Sequence, residues 1–379
     1  MIRKLLYFFT ILFSATIQAQ DIPQVIDSLK TELRKTNADD KKAAIYCDLT
    51  WYYSHVSIDS SLAYGKKAVS LTRKTGNNKL LAQVYSDLGA VYLTKGDANT
   101  SLKNYRKALQ IRRVMKDSTG IASVWCNMGA VYERKSVPDS AMHKYIKALS
   151  YFEAIGDSAK IDFVKNNIAL LHSNMHNYEK AEKLYFEVAR YRKATGQNVQ
   201  LAMVYVNLAN LYKDQRKYNL AEKYYKDAAA LAEKEKSAMV QSTALFDLGF
   251  LYNHTGRYKQ ALDYLLKSRQ VATDVHSDYD EALIDNGFGI AYYNLNDVGK
   301  AKKHYLKALR VMEKIKDRTE TSRIYLDLVP VYGSLGMRDS ADYYLEKYKH
   351  NEYLTLKEKV TAQTLELEAK YQTEKKNGK

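Results

Sequence analysis

The chain has 379 residues and a formal net charge of +16, with 33 Tyr but only 3 Pro and 2 Cys. So little proline, and no Gly/Ser-rich run, leaves no linker to divide it, and one continuous body is expected. Two cysteines exclude a dense disulfide scaffold. The basic residues are dispersed and form no nucleic-acid-binding motif, so nucleic acid is not an expected partner.

The chain opens MIRKLLYFFTILFSATIQAQ: Arg3 and Lys4, an apolar run from Leu5 to Ile17, then the small residue Ala19. This is the layout of a signal peptide over residues 1–19, and the run is shorter than the roughly 20 apolar residues a membrane span needs. The mature protein is therefore expected in the periplasm or outside the cell, without membrane insertion. Anchoring by an uncleaved N-terminal segment is the alternative. Ile22, Ile26, Leu29 and Leu33 fall on one helical face, which predicts a capping helix within residues 20–40.

From 41 to 350 the sequence repeats itself. DLGAVYLTKGDANTSLKNYRKAL (Asp87 to Leu109) returns forty residues later as NMGAVYERKSVPDSAMHKYIKAL (Asn127 to Leu149). A small position recurs at Gly89, Gly129, Ala169, Ala209, Gly249, Gly289 and Val329, and three residues on come Tyr92, Tyr132, His172, Tyr212, Tyr252, Tyr292 and Tyr332. A second set follows in Ser101, Ala141, Ala181, Ala221, Ala261, Ala301 and Ala341, with Tyr105, Tyr145, Tyr185, Tyr225, Leu265, Tyr305 and Leu345 four residues later. Spacings of three, four and seven are those of helices, and Lys95-Gly96-Asp97 and Gly156-Asp157-Ser158 mark the turns between them. A fixed period of this length implies stacked units. Gly or Ala lets two backbones approach, an aromatic ring fills the wedge beside them, and no hairpin buries both its faces alone. The expected fold is an all-α solenoid of about eight antiparallel helix pairs, the first a weaker copy around Tyr46 to Ala68. Most of the tyrosines are thereby assigned to packing.

Trp125, Met128-Gly129, Tyr132, Ala141, Tyr145 and Ala148 resemble the signature of the tetratricopeptide repeat (TPR). The register holds from Leu80 to about Tyr348, but lacks the usual closing proline and runs at forty instead of about thirty-four residues. The resemblance is therefore to long-repeat members. It implies a right-handed superhelix whose first helices line a concave side, and a non-catalytic scaffold binding a protein or peptide.

One polar column stands immediately before the Leu or Met of the Leu-Gly pair: Asp48, Asp87, Asn127, Asn167, Asn207, Asp247 and Asp327, broken once by Gly287 with Asn286 beside it. In the family an asparagine here holds an extended peptide by its backbone, as in the groove of O-linked N-acetylglucosamine transferases, and a carboxamide both donates and accepts as a main chain requires. The resemblance thus makes Asp87, Asn127, Asn167, Asn207, Asp247, Asn286 and Asp327 the candidate peptide-binding set, and Tyr293, an aromatic outside the packing columns, joins it as a candidate groove residue. The alternative is that these side chains bond to the neighbouring repeat. A lysine column at Lys67, Lys107, Lys147, Lys267, Lys307 and Lys347 reads as a solvated outer face, or as a surface for adhesion to an anionic envelope.

Nothing points to a cofactor, metal or catalytic centre. His172-Ser-Asn-Met-His176 carries Ser173 where a zinc protease has glutamate, Asp278-Tyr-Asp280 lacks the glycine of a calcium loop, and Gly287-Phe-Gly289 lies within a repeat helix. Cys47 and Cys126, with a whole repeat between them, are expected to be free buried thiols. Finally, Tyr353, Leu356, Val360, Thr364, Leu367 and Tyr371 line one face of a predicted amphipathic helix at 351–379, either a cap on the last repeat or a coiled-coil dimer seam. This tail resembles the juncture after the repeats of exported TPR sensor proteins of Bacteroidetes-type bacteria. That resemblance implies, as a second reading, a sensing module acting through the helix on a separate membrane output protein.

Overall fold

The computed structural model describes residues 22–271 and 277–377. The signal-peptide stretch lies outside the described residues. Among those described, every regular element is an α-helix. Two compact units divide at Thr195 and Gly196. The sequence reads as one body because the register continues through this point, yet stacked repeats form contacts only with their neighbours and need not share one core.

The first unit has a capping helix, α1 (Ile22–Lys35), then the pairs α2 (Asp39–Tyr53) with α3 (Ile58–Thr75), α4 (Asn78–Thr94) with α5 (Ala98–Val114), α6 (Ser118–Arg134) with α7 (Pro138–Ile155), and α8 (Ser158–Asn174) with α9 (Tyr178–Ala194). The second has α10 (Asn198–Asp214) with α11 (Tyr218–Lys234), α12 (Ala238–His254) with α13 (Tyr258–Val271), α14 (Asp278–Asn294) with α15 (Val298–Lys314), and α16 (Arg318–Ser334) with α17 (Arg338–Asn377). The last repeat and the tail share α17, a single helix of 40 residues.

The period comes from the turns. A left-handed residue recurs every twenty positions: Gly76, Gly96, Lys116, Ser136, Gly156 and His176 in the first unit, and Gly196, Arg216, Lys236, Gly256, Asn296, Lys316 and Gly336 in the second. At Gly96 (φ 88°) the turn is closed by Gly96 N–H donating to Leu93 O at 3.0 Å and Asp97 N–H donating to Tyr92 O at 2.9 Å, a Schellman closure. Asp97 then accepts from the Thr100 amide at 2.9 Å, capping the next helix. Two such half-repeats make forty residues.

The small and aromatic columns interlock as expected. Tyr105, Tyr145, Tyr225 and Leu265 have no exposed surface. A Cβ at Gly89 would lie 2.7 Å from the Tyr105 ring, and one at Gly129 2.6 Å from that of Tyr145. Carbon atoms pack at about 3.5–4.0 Å, so glycine at these sites lets the ring lie against the opposing helix. Cys47 and Cys126 are free and buried.

Candidate functional site

Within the first unit α2, α4, α6 and α8 touch in succession, and within the second α10, α12, α14 and α16 do so, while second helices of neighbouring pairs show no comparable contact. The first helices therefore occupy the tighter, inner side of each stack.

The Asx column lies on these inner helices at three depths. Asp48 is exposed. Asn127 in the first unit, and Asn207, Asp247 and Asp327 in the second, are part-exposed. Asp87, Asn167 and Asn286 are buried at 6%, 2% and 0% exposure. Asp87 accepts from Gln83 Nε2 at 2.8 Å; burial pushes its carboxyl up to about 7, against the pull of that bond and of Arg112. Asn167 Nδ2 donates to Cys126 Sγ, one repeat earlier, at 3.6 Å, while its Oδ1 has no partner among the described residues. Neither amide atom of Asn286 has one. Asp327 is pushed up to about 7, by burial first, with Arg323 opposing.

The break in the seventh repeat is steric. A Cβ at Gly287 would sit 2.9 Å from both Phe250 Cε2 and Leu265 Cδ1, and Asn253 Nδ2 donates to Gly287 O at 2.9 Å. No Asx side chain fits there. Tyr293 is part-buried with Phe250 and Ile290 against the core of the second unit.

The structure also gives the lysine column partners that the sequence motifs did not show. The lysines are not simply solvated: Lys107 Nζ lies 5.0 Å from the centroid of Tyr85, Lys147 5.9 Å from that of Trp125, and Lys67 5.8 Å from that of Tyr46, all within cation–π range. Where the aromatic is replaced by Asp285, Lys307 forms an ion pair at 2.7 Å instead. In the fourth repeat the charges are exchanged, and Lys165 pairs with Glu187 at 2.8 Å. The signal in the sequence is complementary change at a separation of 22 residues, as in Lys165/Glu187 and Asp285/Lys307. Asp285 is 1% exposed and also meets Arg269 Nη2 at 2.9 Å and His304 Nδ1 at 2.8 Å. Burial opposes its charge, but His304, Lys307 and Arg269 outweigh it and hold the carboxyl at about 2.

Residues 19–284 match the family model described as the SusR N-terminal TPR domain. The chain belongs to this family. No match is found among curated proteins. Solved structures similar to this SusR-type TPR protein include a Rap protein complexed with competence and sporulation factor (15% identity, 90% of this chain and 94% of that one, TM-score 0.64). Others are the apo form of the quorum sensor NprR from B. thuringiensis (16%, 88% and 94%, 0.61) and the Rap conjugation gene regulator of plasmid pLS20 in complex with a Phr peptide (11%, 89% and 96%, 0.59). At these identities the likeness shows the fold, a TPR-type helical solenoid.

Other motifs of the SusR-type chain are absorbed by packing. Asp280 completes a capping box with Ser277 at the start of α14, His176 Nδ1 and the Tyr178 hydroxyl share a hydrogen bond at 2.7 Å, and Gly287 and Gly289 lie inside α14. Burial pushes the Cys47 and Cys126 thiols up to about 12, so neither is a ready nucleophile. Among the described residues no group of three or more His, Cys, Asp or Glu could hold a metal, and no helix is long and apolar enough to cross a membrane.

Proposed function

We propose that this SusR-type protein is an exported, non-catalytic scaffold that binds an extended peptide or partner segment on the inner faces of its repeats. The observation that carries the reading is the recurrence of part-exposed Asx side chains on successive inner helices: Asn127 in the first unit, and Asn207, Asp247 and Asp327 in the second. Three residues on, and so on the same side of the helix, stand Asn210, Phe250 and Pro330, with Ile290 at the matching place in α14. Amides would hold a main chain while apolar neighbours take its side chains. Asp87, Asn167 and Asn286 act from beneath, setting the height of that surface, and Tyr293 supplies an aromatic edge. The neutral Asn207 followed by the acidic Asp247 favours basic ligand residues towards the latter. That a similar fold holds a Phr peptide supports peptide as the ligand class.

The test is affinity capture from envelope extracts, with the mature protein beside an Asn127→Ala/Asn207→Ala/Asp247→Ala variant of unchanged helicity. Loss of the captured species from the variant is expected, and undiminished capture refutes the reading. Export is read from the mass of the protein recovered from the periplasm, with cleavage expected after Ala19.

A second reading rests on α17. Tyr353, Leu356, Val360, Leu367 and Tyr371 are 53–68% exposed, whereas a capping helix would bury them. The stripe repeats every 11 residues, 353/364, 356/367 and 360/371, about 3.67 per turn, so it stays on one face of a nearly straight helix. This favours a partner helix, from a second copy or from a membrane output protein, over self-capping. Light scattering of the full chain against one ending at residue 352 separates these, since only the former makes the intact protein a dimer by itself.

A further inference from the structure

We propose a second binding site in the first unit, distinct from the Asx column: a groove between α3, α4 and α5 that takes an acidic, apolar peptide segment by a side-chain carboxylate. The groove has a volume of about 360 Å³. Its floor includes Tyr85, two residues before Asp87 and so on the other side of α4.

Two cations converge on this tyrosine. Arg73 Nη2 donates to its hydroxyl at 2.7 Å, and Lys107 Nζ stands 5.0 Å from its ring centroid. Neither cation has a carboxylate partner among the described residues, and no acidic side chain lines the groove. This sets Lys107 apart from Lys307, whose charge is met by Asp285. A carboxylate beside Arg73 would form a charge-assisted bond in a site already carrying two positive charges.

The rest of the lining selects what the carboxylate is attached to. Leu81, Ile111 and Val114 form an apolar wall, and Val114 at 79% has the largest exposure of any large apolar side chain among the described residues. Asn78 and Gln110 complete the rim; their carboxamides both donate and accept, as the N–H and C=O groups of a main chain require. A free anion would use the cations and leave the wall and amides idle. A peptide alternating acidic and apolar residues uses all three.

The probe is a fluorescein-labelled decapeptide alternating Glu and Leu, titrated by anisotropy against the full mature chain, beside a Gln/Leu counterpart and octanoate as competitor. The Glu/Leu peptide is expected to bind at least tenfold more tightly than the Gln/Leu peptide, weakening as salt rises. An Arg73→Gln/Lys107→Gln variant should lose at least tenfold, and so should Val114→Asp, whose site is too exposed for the change to threaten folding. Lys147→Gln, which removes the same kind of exposed ammonium from over Trp125 in the next repeat, should bind the probe unchanged. No binding of the Glu/Leu peptide, binding indifferent to both groove variants, or octanoate matching the peptide in affinity would each overturn the proposal.

Discussion

Asp285 gives the sharpest test of the outer column. Its carboxyl is 1% exposed and held at about 2 by His304, Lys307 and Arg269, from an ordinary 3.8. At about 1.4 kcal/mol per tenfold change in acidity, that depression corresponds to somewhat over 2 kcal/mol. Because Lys307 is 59% exposed and its charge is screened, about 2 kcal/mol is the expected cost of Asp285→Asn at pH 7. The sign follows from linkage: a carboxyl more acidic folded than unfolded stabilises fully above 3.8, and that contribution is lost as pH falls towards 2. The gap between wild type and variant should therefore hold from pH 7 to about 5, fall to roughly half by pH 3, and close below. Urea unfolding followed by circular dichroism, with hydrogen exchange of α13 to α15 amides to localise the loss, measures it. A penalty that does not change with pH, or none at pH 7, would refute the ion-pair account.

Exchanging Lys165 and Glu187 should be nearly neutral, whereas either single reversal sets like charges opposite each other and costs about 0.5–1 kcal/mol; a double-mutant cycle reads the difference. Lys236 has a φ of 53°, so Lys236→Gly should stabilise by about 0.5–1 kcal/mol, the relief of left-handed strain less the added freedom of the unfolded chain, and a melting curve detects it. Gly129→Val drives a branched side chain into the Tyr145 ring and should cost roughly 1–3 kcal/mol, with loss of cooperativity in the first unit visible in its tyrosine near-ultraviolet dichroism.

The register of the fold was legible because its columns do one mechanical job throughout: wherever Gly89 or Gly129 faces Tyr105 or Tyr145, no larger residue fits. The turns were only half legible. Glycine marks Gly96 and Gly156, but the same left-handed conformation is held by Lys116 and Ser136, whose identities give no hint of it. The depth of the candidate ladder was not legible at all. Whether an Asx side chain is covered depends on a neighbour in another repeat, as Phe250 and Leu265 exclude any side chain at Gly287 and Cys126 receives Asn167. The lysine column was legible as an exposed face, but not its partners, because in several repeats the partner lies 22 residues away on a different helix, as Asp285 does from Lys307.

The unbroken passage of α17 from the last hairpin into the tail has a mechanical consequence. The helix's first half lies along α16, as far as Glu358, which pairs with Arg318 at 2.7 Å, and at about 1.5 Å per residue the remaining stretch, 359–377, makes a projecting rod of about 30 Å. A tilt of about 5° at the root of that rod would swing the far tip by about 2.5 Å, so a slight repacking of the final hairpin would arrive at the tyrosine-bearing end as a movement of nearly half a helical turn.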